Sequence, residues 1–277
     1  MEPPPIVVPR VNPAAPEVGA VRRNRRRATL IAGIPGLVLG VVLGAVGFLV
    51  GGIIAGGAVL VVVAVAIWAA GRWATTGMVL KAVGAEPADE GEFPRPFNLV
   101  EGLCATMGLP VPALALIEDP LCDALAVGRS PATATLVMTR GLVERLDPVQ
   151  LEGVLAHELT HIKRGDIVPA TVAAGMLLPL APLYSGAGDL VHRLAGRGRE
   201  FEADRLAVGV TRFPPGLCEA LEAMGGSERV TSPLTGRHVG RVTRWLWTAA
   251  LGEVPSGEQA VGELDAPSVR IAALHEW

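Results

Sequence analysis

The longest uncharged stretch of the chain runs from Ala28 to Gly71 and consists almost entirely of apolar residues and glycine. About 20 consecutive apolar residues are enough for a helix to cross a bilayer once, so this stretch is long enough for two crossings. Glycine pairs at 51–52 and 56–57 lie near its middle, where a turn would be needed. The sequence therefore predicts a transmembrane helical hairpin over 28–71, with helices at about 29–49 and 53–71.

The charges beside this stretch predict its orientation. Five arginines precede it between Arg22 and Arg27, and Arg72 and Lys81 follow it. Positive residues favour the cytoplasmic side of membrane helices, so both ends are expected there. A cleaved signal peptide is the alternative, but it would need a shorter apolar core followed by a cleavage site and polar sequence. We expect a multi-pass protein of the cell (inner or plasma) membrane, in contact with membrane lipid, whose folded domain faces the cytoplasm.

The composition limits which classes of protein the chain can belong to. Half of the residues are hydrophobic, which is too apolar for an ordinary cytosolic enzyme, and the net charge of -3 gives no reason to expect a nucleic-acid partner. The three cysteines, Cys104, Cys122 and Cys218, favour reduced structural thiols over a disulfide framework. No feature of the sequence indicates an oligomeric state. The chain divides into a disordered basic tail (1–27), the transmembrane hairpin (28–71), a linker (72–95) and a folded domain (96–277).

Within the folded domain, short β-prone segments precede a helical pattern. The segments Ala113–Ile117, Ala124–Val127 and Ala134–Met138 are separated by turn sequences and favour a small antiparallel sheet. A helix is predicted over 148–164, because Asp147 can cap it, Pro148 suits its first position and Gly165 can end it. The predicted fold class is mainly α with a small antiparallel sheet (α+β).

The predicted helix carries a metal-binding motif. His157 and His161 are four residues apart, so both imidazoles lie on one face of the helix and can bind one tetrahedral zinc ion. Glu158 is turned about 100° from His157, where its carboxylate can act on a zinc-bound water as general base. The motif predicts zinc-dependent hydrolysis of a peptide bond. A pair of helical histidines without a metal is the alternative.

A catalytic zinc usually has three protein ligands, and the third must come from elsewhere in the chain. Glu200 and Asp204 are again four residues apart, so one could bind zinc and the other could hold a histidine in its metal-binding tautomer. The spacing alone leaves five candidates open, namely His192, Glu200, Glu202, Asp204 and His238.

Four segments of the domain carry a family resemblance: DALAVGRSPATATLVMTRGLVERLD at 123–147, LEGVLAHELTHIKRGD at 151–166, REFEADRLA at 199–207 and VRIAAL at 269–274. They resemble the HtpX-like and CAAX prenyl protease family of membrane zinc proteases, over most of 96–277. The resemblance implies a helical, zincin-like domain with a small sheet. It also implies one zinc ion per chain, held by His157, His161 and Glu200, with Glu158 as general base and Asp204 beside the ligands.

The resemblance further implies that an edge strand holds the substrate as an added strand, through Asp123, Ala124, Leu125 and Ala126. Asp123 departs from the family pattern, which usually has asparagine there. Arg270 matches a family arginine, and we expect it either to pair with an active-site carboxylate or to cap a C-terminal helix. Leu264 stands where the family commonly has a histidine that is thought to help stabilise the transition state.

The gap between His161 and Glu200 is shorter than in many HtpX-like proteins and contains one apolar stretch, 167–184. A single crossing there would put Glu200 and His157 on opposite sides of the membrane, so we expect a buried or membrane-dipping helix. The leading hypothesis is a membrane-anchored zinc endopeptidase that acts on protein or peptide substrates, such as misfolded membrane proteins. One alternative is a catalytically weak or inactive zinc-stabilised membrane scaffold that binds peptide segments. A membrane metal sensor or transporter is less well supported, because it would need polar ligands inside the spans and 28–71 contains none.

Overall fold

The computed structural model describes residues 17–196, 198–225, 232, 234, 238–249 and 267–277. The described part is mostly helical, with one four-stranded sheet. Leu264 lies outside the described residues. The helices are α1 (Glu17–Trp73), α2 (Thr75–Val83), α3 (Pro94–Met107), α4 (Arg140–Arg145), α5 (Pro148–Arg164), α6 (Ile167–Leu177), α7 (Ala187–Ala195), α8 (Arg199–Thr211), α9 (Pro214–Gly225), α10 (His238–Thr243) and α11 (Pro267–His275), and the strands are β1 (Glu86–Pro87), β2 (Ala113–Ile117), β3 (Ala124–Gly128) and β4 (Ala134–Thr139).

Helix α1 is long and apolar enough, by length and composition, to cross a membrane. Its backbone leaves the helical region at Gly52, where φ is 74° and ψ is -168°. The residues on the two sides of Gly52 lie against each other. A Cβ added at Gly36 would lie 2.9 Å from the carbonyl oxygen of Ala64, and one added at Gly44 would lie 2.9 Å from that of Gly56. Large side chains could not replace these glycines without separating the two sides.

The basic segment before the apolar stretch is helical from Glu17, so its part within the predicted disordered tail is ordered. The prediction of disorder is wrong for residues 17–27, because this segment packs on the folded domain. The Asn24 amide donates to the carboxylate of Asp166 and to the carbonyl of Arg164, and Arg27 donates to a carbonyl at the end of α7. Residues 1–16 lie outside the described residues.

The predicted linker 72–95 is also partly structured. It contains α2, whose Val79 and Val83 are buried in the hydrophobic core, and the short strand β1. Helix α2 packs closely on α6, where Thr75 lies against Gly175. Apolar residues at positions 79, 80 and 83 repeat at helical spacing, which is the local signal that the linker prediction missed.

The sheet is mixed, so the prediction of a purely antiparallel sheet is wrong. Its strand order is β1-β2-β4-β3. Strand β4 pairs parallel with β2 and antiparallel with β3, and β1 pairs antiparallel with β2. The connection from β2 to β3 carries the chain past the position of β4, so that β4 enters between them and runs in the direction of β2. As a result β3 lies at one edge of the sheet.

Helix α5 occupies the predicted bounds and lies in the centre of the domain. Asp147 accepts hydrogen bonds from the backbone N–H groups of Val149 and Gln150, and the Gln150 side chain accepts from the Asp147 N–H in return. Gly165 ends the helix in the left-handed conformation, with φ of 69°. The helix packs against α8, α9 and the sheet, and its residues from Gly153 to Ile162 are buried.

Helix α6 covers the first part of the apolar stretch 167–184. It has 11 residues and is about 16 Å long, which is too short to cross a hydrocarbon core of about 30 Å. Its residues from Ile167 to Gly175 are all buried, against α1, α2, α7 and β3. Part of the apolar stretch is therefore a core helix of the folded domain.

Candidate active site

The two histidines of α5 converge as their spacing predicts. The Nε2 atoms of His157 and His161 lie 3.2 Å apart, and the rings meet edge to face. Both side chains are almost fully buried, at 0% and 4% exposure of the residue. Burying two imidazoles side by side is unfavourable unless their nitrogens have partners, so the surroundings of these atoms decide what the site can do.

Glu200 of α8 supplies those partners. Its Oε2 lies 3.0 Å from His157 Nε2 and 3.2 Å from His161 Nε2, while Arg199 Nε lies 3.0 Å from Oε1. Around a tetrahedral zinc ion with bonds of about 2.0–2.1 Å, neighbouring donor atoms are about 3.3 Å apart. The three donor atoms already form a triangle of nearly this size. Two imidazole nitrogens and one carboxylate oxygen are also the donor set of a catalytic zinc site, so these residues could hold a metal ion.

Carboxylates behind the histidines hold their rings. Asp204 Oδ1 lies 2.7 Å from Nδ1 of His157, and Asp166 Oδ2 lies 3.5 Å from Nδ1 of His161. Arg270 of α11 donates to both carboxylate oxygens of Asp204, from Nε to Oδ2 at 2.6 Å and from Nη2 to Oδ1 at 2.8 Å. A carboxylate on Nδ1 directs the lone pair of Nε2 towards a metal. The structure therefore brings Asp204 and Arg270 to the site, with Arg270 in the pairing role rather than as a helix cap.

The charges of this cluster shift its proton equilibria. Burial opposes charging of His157, but the Asp204 and Glu200 carboxylates outweigh it and raise the pKa of His157. Burial is likewise outweighed at His161, where Glu200 and Asp166 raise the pKa to about 10. Burial would raise the pKa of Glu200, but His161 and Arg199 hold it well below its usual value. The site is therefore built to hold positive charge between its carboxylates, and a metal ion would compete with protons for the same nitrogens.

Glu158 lies beside the cluster and is 1% exposed. Its Oε1 accepts a hydrogen bond of 2.6 Å from the hydroxyl of Thr248. No described residue pairs Glu158 with a cation, and a carboxylate in that position can accept a proton from a neighbouring water.

The four predicted substrate-binding residues lie at the start of β3, the edge strand. Asp123 is fully buried, and its Oδ1 accepts from the backbone N–H groups of Ala124 and Ala249. The carbonyl of Ala124 accepts from the Thr248 N–H at 2.9 Å, and Leu125 forms an isolated antiparallel bridge with Trp247. The adjacent residue, Ala126, is buried. The chain's own segment Trp247–Ala249 thus pairs with the beginning of the edge that was predicted to hold substrate.

The other candidate ligands lie elsewhere. His192 is 4% exposed and stacks on Trp245 at 3.9 Å between ring centroids, so it is buried away from the triangle of donor atoms. His238 is exposed and contacts Arg241, and Glu202 forms ion pairs with basic residues on α5 and α8. Among the described residues, one further group of possible metal ligands lies apart from α5, at Cys218, Glu222 and His275.

Three residues of the site were missed by sequence reasoning. Asp166 directly follows Gly165 and lies within the quoted motif, so its position close to the histidines was a usable signal. Arg199 precedes Glu200 and could have been suspected as its partner. Thr248 is 90 residues from Glu158 in sequence, and no local pattern connects the two.

Comparisons with known proteins agree with this geometry. The model of peptidase family M48 matches residues 97–224, which include α5 and α8. The proteins named Protease HtpX homolog from Dictyoglomus thermophilum and Salinibacter ruber are 34% and 33% identical over 177 and 175 residues. These matches cover 52% and 55% of this chain, and 58% and 63% of those relatives.

The Protease HtpX homolog from Acidiphilium cryptum is 33% identical over 192 residues, which are 57% of this chain and 67% of that relative. The chain thus spans about three fifths to two thirds of the length of the curated relatives it matches. The resemblance first carried by the HELTH and REFEADRLA segments is confirmed. The chain belongs to the HtpX-like proteins of peptidase family M48.

Proposed function

We propose that the chain is a membrane-anchored, zinc-dependent endopeptidase. The observation that carries this proposal is the triangle of His157, His161 and Glu200, with Glu158 beside it on the same helix. The three donors have the spacing and chemistry that a catalytic zinc requires, and the fourth position is left for water or substrate. The names of the HtpX relatives, which describe proteases, support the same conclusion.

In this proposal His157, His161 and Glu200 hold one zinc ion per chain. Zinc, when bound, polarises a carbonyl group and lowers the pKa of a water molecule. Glu158 would accept a proton from a water molecule at the site and would then pass it to the leaving amine. Asp204 and Asp166 keep Nδ1 of each histidine engaged, so that Nε2 faces the metal.

We propose that the substrate backbone pairs with β3 through Asp123, Ala124, Leu125 and Ala126, in the manner of an added strand. The segment Trp247–Ala249 occupies the first part of this edge in the structure. A substrate strand must therefore displace the segment or enter beyond it. The departure at Asp123 is consistent with this arrangement, because its carboxylate accepts the backbone N–H of Ala249.

The membrane part of the proposal rests on α1. Its two sides meet through Gly36, Gly40 and Gly44, which are spaced four residues apart and allow close approach, as at interfaces between membrane helices. We infer a two-helix transmembrane hairpin that turns at Gly52. With arginines before Ala28 and Arg72 after Gly71, both ends and the folded domain would face the cytoplasm.

Cleavage of unfolded casein tests the proposal. The purified full chain in detergent with zinc is compared with Glu158→Gln, which preserves shape and the metal ligands but removes the proton acceptor. Glu152→Gln, six residues earlier on α5, is the matched control. We expect loss of cleavage in the first variant alone. Equal rates for the wild type and Glu158→Gln would favour the alternative of a zinc-stabilised scaffold.

Metal content is measured beside activity. We expect the zinc bound by the chain to fall by one equivalent in Glu200→Gln, while Glu158→Gln keeps it. Both variants are made in a Cys218→Ser background, so that the second group of possible metal ligands does not contribute to the measured zinc content. Zinc that persists in full after Glu200→Gln would contradict the assignment of the third ligand.

A further inference from the structure

A cavity of about 580 Å³ lies where both ends of α1 meet the folded domain. Its walls come from the start and end of α1, from the connection between β3 and β4, and from the junction of α5 with α6. Three arginines, two tryptophans and three hydroxyl side chains line it, namely Arg25, Arg72, Arg129, Trp68, Trp73, Thr29, Ser130 and Thr133.

The charge in this cavity is unbalanced. None of its described lining residues carries a carboxylate. Burial, together with the neighbouring charges of Arg25 and Arg129, lowers the pKa of Arg72. Nη1 of Arg72 is buried and has no hydrogen-bond partner among the residues that the structure describes. The carboxyl end of α5 at Gly165 contributes only about half a negative charge, which cannot offset three guanidinium groups. An anion in the cavity would relieve this repulsion and satisfy the buried donor.

The chemistry of the lining selects among anions. Guanidinium groups bind phosphate oxygens with paired N–H donors, and hydroxyl groups can add further hydrogen bonds. The hydroxyls of Ser130 and Thr133 are 3.0 Å apart, and that of Thr133 can donate to the Ser130 carbonyl at 3.5 Å, which leaves the Ser130 proton for a ligand. The Arg129 guanidinium is held 4.7 Å above the ring of Trp73, which fixes its direction.

The position of the cavity indicates that the phosphate belongs to a lipid headgroup. Arg25 precedes Ala28 by three residues and Arg72 directly follows Gly71, so both lie where the uncharged part of α1 begins and ends. Trp68 and Trp73 lie at the same level, as tryptophans do at the boundary between hydrocarbon and headgroups. Between these ends, many large apolar side chains of α1 are exposed. We propose that the cavity binds the phosphate of an anionic phospholipid, whose acyl chains lie along the exposed apolar surface of α1.

This inference rests on the membrane anchoring in the proposed function and not on its proteolytic activity. A bound headgroup would contact the ends of α1, the loop that follows the edge strand β3, and the end of the helix that carries the histidines. The lipid would therefore link the membrane segment to the edge strand β3 and to the histidine helix α5, which both belong to the candidate active site. We expect anionic lipid to raise the thermal unfolding temperature of the full chain.

Native mass spectrometry of the full-length Glu158→Gln protein tests the site without interference from self-cleavage. Phosphatidylglycerol, phosphatidylcholine and inorganic phosphate are titrated separately into the detergent-solubilised protein. Arg72→Gln/Arg129→Gln removes two charges from the cavity. The matched control, Arg22→Gln/Arg26→Gln, removes two charges from exposed positions on the same helix.

We expect one tightly bound phosphatidylglycerol in the parent and the control, and binding at least about tenfold weaker in the cavity variant. Arg129→Lys, which keeps the charge but loses the paired donors, should lie between them, and it serves as the readout if the double variant does not fold. Equal losses in the cavity and control variants would overturn the proposal, because they would indicate general attraction to basic residues. Equal binding of phosphatidylcholine, or full competition by inorganic phosphate, would also overturn it.

Membrane integration is measured separately by alkaline extraction of cell membranes. Extraction of the protein as a soluble chain would contradict the proposed membrane anchor. Loss of casein cleavage without loss of lipid binding would contradict the proposed protease alone.

Discussion

The buried ion pair between Asp204 and Arg270 connects α11 to α8, and Asp204 in turn contacts His157 of α5. We expect that removing either partner costs more stability than removing both. Each side chain is 1% exposed, and Arg270 donates to both carboxylate oxygens of Asp204. Arg270→Met leaves the Asp204 carboxylate buried without its guanidinium partner. Asp204→Asn leaves the Arg270 guanidinium buried without its carboxylate partner. An uncompensated buried charge of this kind destabilises a protein by about 3–5 kcal/mol.

The double variant Asp204→Asn/Arg270→Met removes both charges of this pair together, so neither is left buried without the other. Replacement of a buried ion pair by groups of similar volume is often close to neutral, so the two costs should not add. We expect a coupling energy of about 3 kcal/mol or more. For a chain of this size each kcal/mol corresponds to about 2–4 °C, so each single variant should unfold about 6–20 °C below the wild type.

The assay is thermal unfolding of the full chain in detergent at one heating rate, with a chelator present, because a metal that binds only the folded state would add its own stabilisation. Additive losses in the double variant would refute the reasoning, since they would mean that the two charges do not compensate each other. Metal affinity gives an independent readout. Asp204→Asn should weaken zinc binding by about 10–100-fold, because Nδ1 of His157 loses its anionic partner, whereas Arg270→Met should weaken it less.

Other substitutions test the helix start, a close contact and the edge strand. Asp147→Ala removes the cap of α5 and should cost about 0.5–2 kcal/mol in the unfolding assay. Gly141→Ala would push a Cβ into a backbone carbonyl and should cost about 1–3 kcal/mol, whereas Gly102→Ala, with open space around it, should be neutral or stabilising. Thr248→Ala removes a hydrogen bond to Glu158 and loosens the segment on the edge strand, so kcat/KM for casein should rise; a fall would mean that the hydroxyl assists the substrate.

The features that could be predicted from the sequence are those determined by local spacing. The bounds of α5 follow from Asp147 at its start and Gly165 at its end, and the approach of His157 to His161 follows from four residues on one helical face. Glu200 is different, because spacing alone left five candidates. The family resemblance selected it, and the structure places its carboxylate against both histidines.

The features that escaped prediction depend on contacts between distant parts of the chain. Strands β2, β3 and β4 were located to within a residue, whereas β1 was not predicted. The strand order depends on how the connection from β2 to β3 passes β4, which no strand sequence encodes. The basic segment before Ala28 has the composition of a disordered tail. In the structure, however, Asn24 donates hydrogen bonds to Arg164 and Asp166, which are 140 and 142 residues away. The pairing of Thr248 with Glu158 is of the same kind, since it depends on where the chain returns after α10.

The distances at the site also restrict how the chain can meet the membrane. His157 and Glu200 are 3.0 Å apart, so the chain between them must begin and end on one side of any bilayer. Helices α6 and α7 have 11 and 9 residues and are too short to cross, so in the proposed membrane anchoring only α1 enters the bilayer. Asn24, four residues before Ala28, contacts the end of α5. His157 lies eight residues, or about 12 Å, back along that helix from Gly165. We infer that the candidate active site lies close to the bilayer surface, so that it would act on unfolded or extended segments that reach this distance from the membrane.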